Sequence, residues 1–165
     1  MANLEDRVWY KIRDLFFGDN FVRQDIPLAL QLASSCRHPD ATWLVEVCRG
    51  KCVSNAQEAL DALQGANDAR ALCFAWVLRD EEEDLTLLRQ SAEKGYAFAQ
   101  AWMAEVVSSG LERFRFANLA ALQGERYGSF CLGGCFHFGD GCEKNLLEEK
   151  KNFLIGRCLC DGTLW

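Results

Sequence analysis

Apolar residues return at intervals of three and four along most of the chain. In one stretch Tyr96, Ala99, Trp102, Met103 and Val106 share a face at helical spacing, which predicts an amphipathic helix. Ser108-Ser109-Gly110 interrupts it. Phe114, Phe116, Ala117, Leu119, Ala120 and Ala121 then predict a second helix, closed near Gly124 by a residue that tolerates left-handed backbone. The same pattern predicts helices near 4–17 and 26–35, 39–49 and 55–64, 67–79 and 84–94, and 125–138 and 145–155. Start signals support several of them. Asp25 is placed to cap the second helix, with Pro27 tolerated in its first turn. Ser54 and Gln57 have capping-box spacing, and Asn145 precedes the last helix. The run Asp80 to Asp84 puts negative charge at a helix start, where the helix dipole favours it. Gly18-Asp19-Asn20 predicts a turn.

The pairs repeat. Arg37 with Ala41, Gly65 with Ala69, Gly95 with Ala99, and Gly124 with Gly128 each place a small residue four positions after an anchor. The anchors lie 28, 30 and 29 residues apart. Near-equal spacing of this kind is the mark of a helical repeat array. The units run over 1–35, 36–64, 65–94, 95–123 and 124–155, with a tail at 156–165, and no linker divides them. The expectation is one domain: an all-α solenoid of about five antiparallel helix pairs. Ala41, Ala69, Ala99 and Gly128 are expected where helices cross closely, because only small side chains fit there.

Composition agrees with helix. Two prolines in 165 residues, many Ala and Leu, and few Val, Ile and Thr disfavour sheet. A chain of this length buries roughly 70% of its unfolded surface, enough for a sizeable core. The net charge of −6 and the lack of a basic cluster argue against nucleic acid as a partner. No apolar run is long enough to span a membrane, and the N-terminal stretch lacks the apolar core of a signal peptide. Nine cysteines, an odd number, then predict reduced thiols in the cytoplasm or nucleus.

The best-formed copy carries Gly124, Gly128, Leu132-Gly133, Phe136, Gly139-x-Gly141 and Asn145. The first unit keeps Gly18, Val22, Asp25 and Ala29, and the second carries His38 to Ala41 as HPDA. On these residues the chain resembles the Sel1-like repeat family, relatives of the tetratricopeptide repeat, over nearly its whole length. The middle copies lack the Gly-x-Gly turn and are shorter than usual for the family. Cys142 stands where the family has Val, and Glu149 takes the slot of a packing Ala. A carboxylate there should not be buried unpaired, so the last helix is expected at an edge or poorly packed. The resemblance implies a right-handed superhelix and a role as an adaptor holding other proteins. It also implies that Gly95, Gly124, Gly133, Gly139 and Gly141 are turn and packing positions. A secreted, disulfide-rich branch credited with hydrolysis is the exception.

Candidate chemistry is sparse. Cys131, Cys135, His137 and Cys142 are zinc-ligand types within twelve residues, and Cys131 and Cys135 share a helix face. Without a C-x-x-C pair, the better expectation is buried thiols acting as small hydrophobes and no metal or other cofactor. Cys48 with Cys52, and Cys158 with Cys160, invite the same comparison. Neither histidine gathers a catalytic set: His38 precedes Pro39 at a helix start, and His137 precedes the last turn. Gly139-Asp140-Gly141 lacks the further glycines of a phosphate loop and reads as a turn. The chain is therefore expected to be non-catalytic, binding a protein or peptide on a concave face. Trp9, Tyr10, Trp43, Trp76, Phe98 and Trp102 are expected mostly in the core. Phe114 and Phe116 fall on different helix faces, and one of them is expected on the binding surface. The run Asp80 to Asp84 is read as a solvated helix start before a docking face, and the C-terminal edge is a place for self-association.

Overall fold

The computed structural model describes residues 4–18, 22–64, 66, 68–79 and 85–157. These residues form ten helices and no strand. They are α1 Leu4–Phe17, α2 Ile26–Ala33, α3 Pro39–Cys48, α4 Ala56–Leu63, α5 Ala69–Arg79, α6 Thr86–Glu93, α7 Ala97–Val106, α8 Gly110–Leu122, α9 Arg126–Phe138 and α10 Leu146–Arg157. Each lies where the sequence pattern puts it, within a few residues at the ends. None of the described helices is long and apolar enough to cross a membrane. Gly65, Asn67, the turn residues Asp19 and Asn20, the run Asp80 to Asp84, and Cys158 and Cys160 lie outside the described residues.

Local chemistry sets the helix ends. Asp25 accepts from the Leu28 N–H at 3.0 Å, and Asn145 accepts from those of Leu147 and Glu148 at 3.1 and 3.2 Å. Each satisfies amides that a helix start leaves without partners. The cap of α4 differs from the expected Ser54–Gln57 box. Asn55 accepts from the Glu58 N–H at 3.0 Å, while the Glu58 carboxylate accepts from the amide and hydroxyl of Ser54, both at 2.7 Å. The box is shifted by one residue because Asn caps as well as Ser, and Glu58 rather than Gln57 then sits three places on. The bonds from Ser54 hold the Glu58 carboxyl below its ordinary range. Gly95 and Gly124 follow α6 and α8 with φ of +94° and +82°, the left-handed backbone that ends a helix.

The chain divides into two compact units, residues 1–67 with 74–81 and residues 68–73 with 82–165, so α5 contributes to both. In the first unit each of α1 to α4 packs against the next, and α1 also touches α3. Ile12, Phe16, Ile26, Ala29, Ala41 and Leu44 fill its core with Phe74. His38 caps α3, its Nδ1 accepting from the Asp40 N–H at 3.2 Å, and its ring stacks on Trp9 at 5.2 Å. That is the helix-start role expected from its place before Pro39. In the second unit each of α6 to α10 packs against the next, and α7 also touches α9. Ala99, Ala101, Met103, Ala117 and Ala120 are fully buried or nearly so, whereas Ala69 is half-buried. Within this core Gln100 donates to the Ala92 carbonyl at 3.0 Å and accepts from Gln123 at 2.7 Å, which satisfies a polar side chain taken out of water.

One expectation for the C-terminal region changes, and of the two alternatives for the last helix, an edge or poor packing, only the second is set aside. Phe116 is fully buried and belongs to the core, not to a binding surface. Its position on α8 turns it inward, whereas Phe114 is half-buried against Phe136 with ring centres 5.7 Å apart. Helix α10 is not poorly packed: Gly133 lies under the Phe153 ring, Gly156 lies against Phe130, and Asn152 is buried. Glu149 is tolerated because its Oε1 meets His137 Nδ1 at 3.1 Å. Its Oε2 is buried and has no hydrogen-bond partner among the described residues.

Candidate functional site

The second unit carries a row of aromatic rings running from α7 over α9 to α10. On α7, Phe98 and Trp102 are one turn apart and share a face. Tyr96 meets Phe98 at 6.2 Å, and Phe98 meets Trp102 at 6.2 Å, both edge-on. Trp102 reaches across to Tyr127 on α9 at 6.1 Å. Tyr127 stacks nearly parallel on Phe130 at 6.2 Å, and Phe130 meets Phe153 of α10 at 5.4 Å. The row is not core throughout: Phe98 is buried, Trp102 and Tyr127 are half-buried, and Phe130 is 46% exposed.

Glu105 follows Trp102 by three residues and carries the sole charge of α7. It is exposed and makes no hydrogen bond or ion pair to any described residue. Neighbouring apolar surface nevertheless desolvates its carboxyl and raises its pKa above the ordinary value. Val106 beside it is 37% exposed. On α9, Gly134 leaves open space where a side chain would begin. Trp102, Glu105 and Val106 thus recur at three and four on α7, Tyr127, Phe130 and Gly134 do so on α9, and Trp102 meets Tyr127 between the two helices.

Burial disfavours the thiolate form of the cysteines next to this surface. Burial, and then the charge of Glu105, pushes the Cys131 thiol up to about 12. Burial, and then Cys142 and Asp140, pushes Cys135 up to about 11. Both stay protonated at neutral pH, and it is the thiolate that attacks carbon or binds metal. Cys131, Cys135, His137 and Cys142 do not converge either, since the His137 ring turns to Glu149. Among the described residues no group of three or more His, Cys, Asp and Glu side chains is arranged to hold a metal ion. None of the seven described cysteines, Cys48 and Cys52 among them, is in a disulfide. Gly139-Asp140-Gly141 is a turn: both glycines have positive φ, and Asp140 pairs with Arg113. The Arg113 guanidinium also donates to the Val107 carbonyl at 3.0 Å, which ties the turn to the start of α8.

Sequence reasoning expected Phe98 and Trp102 mostly in the core and singled out neither Glu105 nor the pair Tyr127 and Phe130. A signal for Glu105 was present, because one carboxylate interrupts an otherwise uncharged helix. Comparison with protein-family models and with curated proteins gave no match.

Proposed function

We propose that the chain is a non-catalytic Sel1-like scaffold, a right-handed solenoid of about five antiparallel helix pairs that binds a protein or peptide. The binding surface is the concave face lined by the first helix of each pair, represented in the second unit by α7 and α9. The observation that carries the reading is the part-exposed aromatic row with an unpaired carboxylate beside it. Aromatic side chains offer large contact area at small entropic cost and dominate recognition surfaces. The array supplies a fixed frame and the side chains select the partner. Free thiols and an odd cysteine count favour the cytoplasm or nucleus, and the acidic balance favours a protein partner over nucleic acid or membrane.

Affinity capture with quantitative mass spectrometry tests this reading. The wild-type chain is expected to enrich a protein partner, and Val106→Asp, with an unchanged melt, to reduce its recovery about tenfold. Enrichment of no protein, or equal recovery by the variant, would overturn the surface assignment.

Self-association is a second role, favoured by the outer face of α10. Leu146, Leu147 and Leu154 are 70%, 76% and 68% exposed, and Phe138 at the end of α9 is 69% exposed. Leu147 and Leu154 are two turns apart, so they form one apolar row that can meet the same row of a second copy about a two-fold axis. Sedimentation velocity is expected to show a concentration-dependent dimer that Leu147→Asp abolishes. A wild-type monomer at all concentrations would remove this role.

A further inference from the structure

We propose that the surface formed by Trp102, Glu105 and Val106 of α7 with Tyr127, Phe130 and Gly134 of α9 recognises an arginine or lysine side chain set in an otherwise apolar peptide. The proposal rests on the scaffold reading and gives the chemistry of its partner.

Three features converge on a cation. Glu105 makes no ion pair or hydrogen bond within the described chain, yet the surroundings partly desolvate it. A carboxylate in that state gains most from a partner that brings a positive charge. Arg113, whose charge like that of Glu105 is felt at Cys131, is already bonded to Asp140 and to the Val107 carbonyl. Aromatic rings lie next to the carboxylate on both helices, with Trp102 of α7 meeting Tyr127 of α9 at 6.1 Å. Trp102 lies one turn before Glu105 on the same helix, and Tyr127 and Phe130 are stacked at an interplanar angle of 8°. Ring faces attract cations, most strongly those of tryptophan. Finally, the aliphatic stem of arginine or lysine needs apolar room. Gly134, one turn beyond Phe130, has nothing within 4 Å of the place a side chain would occupy. The stem can lie in that notch while the charged head reaches Glu105. The net charge of −6 adds attraction at longer range.

The probe is a random-sequence peptide display library, selected in parallel on the wild-type protein and on Glu105→Gln. Peptides enriched on the wild type are expected to share one Arg or Lys flanked by apolar residues, and selection on Glu105→Gln is expected to lose that position. Fluorescence anisotropy on the best peptide then measures the pairing. Replacing its arginine by citrulline, a neutral isostere, is expected to weaken binding to the wild type about tenfold and to leave binding to Glu105→Gln unchanged. Enriched peptides with no basic position would overturn the proposal and leave the scaffold reading standing. A basic position retained on Glu105→Gln would overturn it too, placing the cation elsewhere. If neither protein enriches any peptide, the proposal and the scaffold reading fall together.

Discussion

Replacing Phe74 with alanine is expected to cost about 3–5 kcal/mol, the largest loss for any single truncation in the first unit. Phe74 has no exposed surface. Four rings surround it: Phe17 and Trp43 stack on it at 4.8 and 5.2 Å, and Phe16 and Trp9 meet it edge-on at 5.8 and 6.2 Å. Removing the ring opens a cavity between α5, which carries it, and the four rings of α1 and α3, so no single side-chain movement can fill it. At this chain length the loss corresponds to a melting temperature lower by roughly 10 °C. Tryptophan fluorescence is the suitable probe, because Trp9 and Trp43 both touch the site. Phe74→Leu, which keeps most of the volume, is expected to cost less than half as much. A melt unchanged in Phe74→Ala, or equal losses in the two variants, would show that the cavity is not the cause.

Nothing in the pattern of the chain singles out Phe74, and the cause is physical. Helix α5 reads ALCFAWVL through its middle, apolar on every face, so periodicity does not say which residue points inward. Caps were easier to read. Asp25 and Asn145 act through amides two or three residues away, and such contacts depend on local spacing alone. Contacts between helices depend on register, which the repeat does not supply. Aligning Gly95 with Gly124 sets Phe98 opposite Tyr127 and Trp102 opposite Cys131. The observed ring contact instead joins Trp102 to Tyr127, one turn out of step with that alignment. The repeat therefore identifies equivalent positions while the packing chooses neighbours. For the same reason the pairing of His137 with Glu149 could not be read from the chain, although both residues stood out in it. Phe114 and Phe116 show the limit from the other side: their spacing put them on different faces, and only the packing decided which face was core.

Two glycines of α9 give opposite expected results on the same substitution, which isolates packing from helix propensity. Alanine in place of glycine inside a helix ordinarily gains about 0.5–1 kcal/mol, because alanine loses less backbone freedom on folding. Gly134→Ala is expected to show that gain, since its new methyl group would meet nothing within 4 Å. At Gly128 the methyl group would overlap Ala120 Cβ and lie 3.0 Å from the Ala121 nitrogen. Those atoms belong to α8, a helix main chain with the shortest side chain available, and neither can rotate away. The two helices must separate instead, and overpacking of this kind costs about 1–3 kcal/mol. Gly128→Ala is thus expected to lower the chemical-denaturation midpoint while Gly134→Ala raises it. The intrinsic gain of alanine is common to both variants, so the difference between them measures the close crossing of α8 and α9. If Gly128→Ala also stabilises the protein, the crossing is looser than the contact with Ala120 requires, and the repeat position it occupies does not mark a close helix approach.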